Sequence, residues 1–294
     1  MFIIKKRYFL GLVIICLTIG AGVVLFDEKE RVETILEYHQ LYFSEYANYL
    51  EYSLEEAGDG NKISLKRAVG GVVSHHIPTV IPELVDFYLK IKNNREVDTF
   101  IIIGPDHVDG SLGNINVSHA DFITPFGTLK PNLDIINKLE QLGLIVSNEY
   151  VFEKEHSIGS QVLVISKLFP NARIVPIVFR SSLTNEVARF FGEALASVAD
   201  ENVFVVASVD FSHYFTEQQA RPLDQLSASV LSTLDQNAEG LIEADSPQTL
   251  AALAAFLDVK GIKENADMKT LNTRDFNNNN DNTTGYVFGF WGIP

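Results

Sequence analysis

The sequence predicts an α/β fold of three layers, in which a mainly parallel central sheet carries helices on both faces. Continuous apolar runs of strand length, such as residues 99–104 and 203–208, are typical of strands that are buried on both faces. These runs alternate with amphipathic stretches of helical length, which is the pattern of βαβ units. With 46% hydrophobic residues, the chain has enough apolar side chains to build one large core.

The main domain is predicted over residues 63–294. Strands are expected at residues 69–74, 99–104, 173–179, 203–208, 268–272 and 286–291. Helices are expected at residues 81–92, 133–142, 159–168, 186–198, 222–234 and 247–257. Residues 114–118 and 122–129 are expected to form a small hairpin.

Residues 1–26 are predicted to anchor the chain in a membrane. Residues 8–26 are uncharged and mostly apolar, and a helix of this length spans roughly 28 Å. Because Lys5, Lys6 and Arg7 precede this run, the positive-inside rule predicts a single signal-anchor helix with the main domain outside the cytoplasm. Cleavage of this segment as a signal peptide, which would give a secreted domain, is the alternative.

Residues 27–62 are predicted to form a helical, membrane-proximal segment. Four tyrosines recur there at helical spacing, and we expect them to pack against the main domain: Tyr42, Tyr46, Tyr49 and Tyr52. Gly58 and Gly60 mark the connection to that domain.

Composition excludes several classes of function. The only cysteine, Cys16, lies in the apolar N-terminal run, so the main domain has neither a thiolate metal ligand nor a cysteine nucleophile. The formal net charge of −15 repels phosphate backbones and argues against a nucleic-acid partner. No G-x-S-x-G motif is present, which argues against a serine hydrolase of the α/β-hydrolase type.

Five of the seven histidines lie in four short polar motifs, three of which directly follow a predicted strand. The motifs contain His75 and His76, then His107, then Glu155, His156 and Ser157, and finally Asp210 and His213. Because ligands of open α/β sheets bind outside the carboxyl ends of the strands, we expect these side chains to converge there. Imidazole is a common metal ligand and titrates near neutral pH, so the sequence predicts a metal site or an acid–base site at this edge.

The residues of these motifs are expected to differ in role. We expect His75 to face the site more readily than its neighbour His76, since successive residues at a strand end point in different directions. Asp210 is expected to orient His213 and raise its basicity, which suits an acid–base role. His156 opens a helix and is expected to face the cleft, where it would contact the substrate.

Two acidic residues, Glu243 and Asp245, precede a helix that is expected to begin at Pro247 with Ser246 as its cap. Acidic groups are favoured near a helix start by the helix dipole alone. Alternatively, one of them completes a site of two histidines and one carboxylate, which is the arrangement of non-haem Fe(II) oxygenases.

Taken together and in order, these motifs resemble those of the Memo family, which includes proteins called AmmeMemoRadiSam system protein B. The resemblance covers the chain from about Val69 to Trp291. The matching motifs include Ser74-His75-His76, Gly104-Pro105-Asp106-His107, Glu155-His156-Ser157, Asp210 to His213 and Gly285-Tyr286. The resemblance implies a fold like that of class III extradiol dioxygenases, with a metal centre at the sheet edge.

The resemblance also implies that His75 and His107 are metal ligands and that His213 is the acid–base residue. Many Memo proteins have a cysteine just before a helix that begins with proline, whereas here Glu243 stands near that place. This departure favours the dioxygenase pattern of two histidines and one glutamate, with Asp245 as the alternative ligand.

We therefore expect a metal-binding protein. The more specific expectation is a non-haem oxidoreductase of the extradiol dioxygenase type. Its catalytic residues would be His213, His156 and Asp210, and its metal ligands His75, His107 and Glu243. Fe(II) is the expected metal, with copper and zinc as alternatives, and a small molecule or a peptide is the expected ligand. A non-catalytic domain that binds a metal or a ligand is the competing hypothesis.

Overall fold

The computed structural model describes residues 38–40, 43–276 and 281–294. Its strands are β1 (Tyr38–Gln40), β2 (Arg67–Val73), β3 (Thr99–Pro105), β4 (Ile115–Val117), β5 (Asp121–Thr124), β6 (Gly127–Pro131), β7 (Val146–Ser147), β8 (Arg173–Phe179), β9 (Val203–Ser208), β10 (His213–Phe215), β11 (Glu264–Asn272) and β12 (Thr283–Ile293). Its helices are α1 (Ala47–Ala57), α2 (Ile81–Asn94), α3 (Leu133–Gln141), α4 (Glu149–Phe152), α5 (His156–Leu168), α6 (Asn185–Val198), α7 (Glu217–Thr233) and α8 (Pro247–Val259). These elements belong to one compact unit that begins at Tyr38.

The strands form one mixed sheet with a parallel centre. Its main path runs in the order β1-β5-β6-β8-β3-β9-β2-β12-β10. At the centre, β3 is parallel to both β8 and β9, and β9 is parallel to β2. Strand β12 is antiparallel to β2 and also pairs with β10 and β11. The predicted α/β class is confirmed, and the parallel strands are the ones that lead into the predicted functional motifs.

Helices cover both faces of the sheet. Alternate residues of each central strand point to opposite sides, so both faces carry apolar side chains that a helix layer buries. In β3, Phe100 and Ile102 pack in one core with residues of α2 and α5. Ile101 and Ile103 of the same strand pack in a second core with residues of α6 and α8. The fully apolar sequence of β3 is explained by this burial on both sides, and the predicted three-layer arrangement is present.

Two regions differ from the sequence prediction. Residues 114–118 and 122–129 do not form one hairpin, because β4 pairs with β8 and β7 while β5 and β6 pair with each other. Helix α7 begins at Glu217 and not at residue 222, because Thr216 and Gln219 form a capping box that begins the helix ahead of Pro222.

The membrane anchor that we expected over residues 8–26 lies outside the described residues. Within the part of the chain that the structure describes, no helix combines the length and the apolar character needed to cross a membrane. The structure therefore gives no support to a signal-anchor transmembrane helix, a membrane partner or a membrane-anchored domain, and we correct these predictions.

The predicted membrane-proximal segment, residues 27–62, is described only from Tyr38 onward and without residues 41 and 42. This part contains β1, which pairs with β5, and α1, which packs against α2. Tyr46 packs against the core, whereas Tyr49 and Tyr52 are exposed. The buried residues of α1 are Leu50 and Ser53, so Tyr49 and Tyr52 do not pack as expected, and Tyr42 lies outside the described residues.

Candidate metal centre

Three parallel strands deliver polar residues to the same edge of the sheet. His75 lies two residues after the end of β2, His107 two residues after β3, and Asp210 two residues after β9. Because β2, β9 and β3 are neighbours in the sheet, these residues meet, as the sequence pattern predicts for the carboxyl ends of parallel strands.

His75 is the most buried of these residues, with 1% of its surface exposed. Its Nε2 atom lies 3.2 Å from Asp245 Oδ2 and 3.7 Å from Asp210 Oδ2. Its Nδ1 atom lies 3.3 Å from Ser208 Oγ. Burial opposes a charge on the ring, but the carboxylates of Asp210 and Asp245 outweigh it and raise the pKa of His75.

His107 is oriented by Glu155, which is buried. The Glu155 carboxylate accepts a hydrogen bond from the His107 backbone N–H at 2.7 Å and lies 2.8 Å from His107 Nδ1. This leaves Nε2 of His107 available to a metal ion, and that atom lies 3.6 Å from Asp245 Oδ2. Burial lowers the pKa of His107, but the neighbouring carboxylates of Asp245 and Glu155 raise it to about 10.

His156 joins this cluster as the first residue of α5. Glu155 caps the helix by accepting a hydrogen bond from the Ser157 backbone N–H at 2.8 Å. The ring centroid of His156 lies 3.9 Å from that of His107 and 5.1 Å from that of His75. Burial and the two neighbouring imidazoles lower the pKa of His156 to about 4, so this ring is neutral near pH 7 and keeps a free lone pair.

Asp245 lies between the two strand-end imidazoles. Its backbone N–H donates to the Asp210 carbonyl at 3.0 Å, and its Oδ2 atom accepts from the Asp210 backbone N–H at 3.3 Å. Its Oδ1 atom is buried and has no hydrogen-bond partner among the described residues. Burial opposes the charge, but His75 and His107 hold the pKa of Asp245 well below its usual range, so the group is a carboxylate.

The donor atoms form two overlapping groups that are suited to a metal ion. The imidazole group consists of His75, His107 and His156, and the carboxylate group consists of His75, Asp210 and Asp245. Within each group, one ligand atom per residue lies within 4.8 Å of the others. The unpartnered buried oxygen of Asp245 also fits a metal site, because an orphaned carboxylate oxygen is costly unless something binds it.

Two residues of the sequence hypothesis, Glu243 and His213, lie outside both groups. Glu243 is exposed, and its backbone N–H donates to Ser227 Oγ. The carboxylate near His75 and His107 belongs instead to Asp245, the alternative ligand. His213 is partly exposed in β10, where it pairs with Thr284.

His76 is also outside the cluster, because its Nδ1 atom is hydrogen-bonded to the hydroxyl group of Tyr286. Of the two neighbouring histidines, His75 is therefore the one that reaches the donor groups.

Glu155 contacts two residues of the candidate centre, although the sequence pattern gave it no separate role. It was visible only as the acidic neighbour of His156, and an acidic residue before a helix is usual for capping alone. Its contact with His107 depends on the packing of α5 against β3, which the local sequence does not reveal.

Comparison with known proteins identifies the family of this chain. Residues 36–282 match the family model for Memo-like proteins, and the chain belongs to that family. It is 30% identical over 177 residues to a MEMO1 family protein of Caldivirga maquilingensis, and the alignment covers 57% of this chain and 62% of that protein. A MEMO1 family protein of Pyrobaculum arsenaticum is 28% identical over 237 residues, and the alignment covers 76% of this chain and 83% of that protein.

The family resemblance inferred from the histidine motifs is thereby confirmed, and the fold is consistent with the implied relation to class III extradiol dioxygenases. Among solved structures, the uncharacterized protein JW3007 from Escherichia coli K12 aligns with a TM-score of 0.46 and 13% identity, over 76% of this chain and 99% of that one.

Proposed function

We propose that this Memo-family protein binds one divalent metal ion through His75, His107 and Asp245, and that this centre oxidises a small organic substrate. The position of Asp245 carries the proposal, because its Oδ2 atom lies 3.2 Å from Nε2 of His75 and 3.6 Å from Nε2 of His107. Two ligand atoms that are each about 2.1 Å from one ion lie roughly 3.0–3.6 Å apart at angles between about 90 and 120°.

Two imidazoles and one carboxylate are the ligand set of non-haem Fe(II) oxygenases, and Fe(II) is the metal we propose. When bound, such an ion supplies open coordination positions for a substrate and for O₂. In the protein, Glu155 holds Nδ1 of His107 so that Nε2 remains available. We propose that His156 contacts the substrate and that His213 transfers protons, with Asp210 supporting both His75 and the loop that leads to His213.

A non-catalytic metal-binding protein is the second candidate. It is favoured by the number of donors, since the two groups place four other side chains around His75, five donor residues in all, which is more than a catalytic site with open positions needs. The two candidates differ in turnover. Consumption of O₂ by the Fe(II)-loaded chain with a catechol as probe supports the oxidoreductase, whereas full metal loading without turnover across such probes supports the binding protein.

The metal centre itself is tested by metal analysis of the full-length chain after anaerobic loading with Fe(II). We expect close to one equivalent in the wild type, loss of binding in His107→Ala, and unchanged binding in His119→Ala. His119 is a matched control because it also contacts Glu residues but belongs to neither donor group. Equal metal content in the two variants would contradict the proposed centre.

A further inference from the structure

We infer that the centre has two interchangeable third ligands, so that Asp245 completes it for oxygen-preferring ions such as Mn²⁺ and His156 completes it for imidazole-preferring ions such as Zn²⁺. His75 and His107 serve both arrangements. The inference rests on the proposed metal centre and goes beyond it, since it assigns His156 as a ligand and predicts how the site responds to different metals.

The arrangement of the imidazoles supports His156 as a ligand. Its ring lies against that of His107, with centroids 3.9 Å apart, and belongs to a group in which three imidazole nitrogens lie within 4.8 Å of one another. Glu155 Oε1 lies 2.8 Å from Nδ1 of His107 and 3.7 Å from Nδ1 of His156. One buried carboxylate therefore faces the same nitrogen of both rings, which leaves Nε2 of each ring for an ion.

The surroundings of Asp245 support it as the other third ligand. Its Oδ2 atom is shared between Nε2 of His75 and Nε2 of His107, while its Oδ1 atom is buried without a hydrogen-bond partner in the described part of the chain. A second carboxylate, that of Asp210, lies 3.7 Å from the same nitrogen of His75. This side of His75 is therefore rich in oxygen, whereas the side of His156 is rich in nitrogen.

The two arrangements exclude each other because His75 has only one nitrogen to offer. The hydroxyl group of Ser208 donates to the Ser157 carbonyl at 2.6 Å, so its oxygen accepts from Nδ1 of His75 at 3.3 Å. This bond keeps the proton on Nδ1 and the lone pair on Nε2. One ion at a time can use that lone pair, and a second metal must displace the first.

The choice between the ligands follows from donor chemistry. Carboxylate and water oxygens suit Mn²⁺, whereas imidazole suits Zn²⁺. Asp245 and His156 also come from different elements, the loop before α8 and the first turn of α5, so one can bind while the other is released.

The test measures the binding of Mn²⁺ and Zn²⁺ to the full-length chain, with free Mn²⁺ followed by electron paramagnetic resonance and Zn²⁺ by equilibrium dialysis. For the wild type we expect one equivalent of either metal, with Zn²⁺ displacing Mn²⁺. His156→Gln is expected to weaken Zn²⁺ binding about 10-fold or more and to leave Mn²⁺ binding within about twofold. Asp245→Asn is expected to weaken Mn²⁺ binding about 10-fold or more and to leave Zn²⁺ binding within about twofold.

Matched controls are His119→Gln and Glu243→Gln, which change a histidine and an acidic residue outside the donor groups. Asp245→Glu, which keeps a carboxylate, should retain Mn²⁺ binding, and it provides a second variant if Asp245→Asn does not fold. The inference would be overturned if His156→Gln and Asp245→Asn each weakened Mn²⁺ and Zn²⁺ binding by the same factor. Simultaneous binding of two metal equivalents by the wild type would also overturn it. Full binding of both metals by His107→Ala would instead overturn the proposed centre itself.

Discussion

At the scale of single residues, Glu155 contacts two of the candidate ligands, His107 and His156. It accepts hydrogen bonds from His107 and from the start of α5, so its charge positions both His107 and His156. Carboxylates that orient a metal-bound histidine typically contribute about 10–100-fold to metal affinity. We therefore expect Glu155→Gln to weaken Mn²⁺ binding by about that factor, measured by equilibrium dialysis.

The control for this variant is Glu153→Gln, an exposed glutamate two residues earlier in the chain. It should bind Mn²⁺ like the wild type. Similar affinities in the two variants would show that Glu155 acts only as a helix cap.

Asp224 predicts a specific pH dependence of stability. Its side chain is buried beside Gly285 and accepts hydrogen bonds from the backbone N–H and the hydroxyl group of Ser212. Burial outweighs these bonds and raises the pKa of Asp224 from 3.8 to about 6. The folded state therefore binds this proton more tightly than the unfolded state, and the contribution of Asp224 to stability falls as the pH rises from about 4 to about 6.

Asp224→Asn removes this titration. Its melting temperature relative to the wild type should therefore increase between about pH 4 and about pH 8, as measured by circular dichroism. Asp258→Asn, which changes an exposed aspartate in α8, is the matched control for the loss of a carboxylate. A constant difference between Asp224→Asn and the wild type would refute the predicted titration.

The positions of single residues relative to the strands explain which site residues could be predicted from the sequence. His75, His107 and Asp210 each follow a strand directly, so the strand pattern was enough to bring them together. Glu243 and Asp245 lie two positions apart in an irregular segment, where no periodicity decides which side chain faces inward. The choice is made by a tertiary contact, the hydrogen bond from the backbone N–H of Asp245 to the Asp210 carbonyl.

At the scale of elements, the approach of α5 to β3 controls the site. A Cβ atom added at Gly104 would collide with the Ser157 side chain, whose Cβ would be 2.6 Å away. Gly104→Ala should therefore displace the start of α5, which carries His156, and cost about 1–3 kcal/mol of the free energy of unfolding. Because this helix start also includes the contact from Glu155 to His107, we expect weaker metal binding as well.

Gly192→Ala separates these two effects. A Cβ atom at Gly192 would collide with the Ala252 carbonyl between α6 and α8, away from the donor groups. Thermal unfolding should show a similar loss of stability, but dialysis should show unchanged metal affinity. Equal metal affinity in Gly104→Ala and Gly192→Ala would argue against control of the site by the contact between α5 and β3.

The predictability of the elements follows from how much local sequence determines them. Strands β8 and β9 match their predicted bounds, because they are apolar runs buried on both faces and closed by polar residues. Strand β4 lies within the predicted strand at residues 114–118, but its pairing with β8 and β7 depends on distant partners and was not predicted. Strand β7 was not predicted, since two residues give no periodicity. The predicted start of α7 at residue 222 is five residues late, because Pro222 lies inside a helix that begins at Glu217.

At the scale of the whole molecule, the candidate ligands come from distant parts of the chain, since His75 and Asp245 are more than 160 residues apart. An ion bound to them therefore links the ends of β2 and β3 to the start of α8. A ligand that binds only the folded state stabilises it by about 2.7 kcal/mol at 100 times its dissociation constant. For a chain of this size we expect the melting temperature to rise by roughly 5–10 °C on saturation with Mn²⁺.

Chelation of the metal should reverse this rise, which can be followed by differential scanning calorimetry. The rise should persist in His119→Ala and vanish in His107→Ala, because only His107 belongs to the donor groups. Since the ligands must be deprotonated to bind, the rise should also shrink as the pH is lowered, when the carboxylates and imidazoles take up protons. A rise of the same size in His107→Ala would mean that Mn²⁺ stabilises the fold at acidic surface groups, which are plentiful in a chain of net charge −15, and not at the proposed centre.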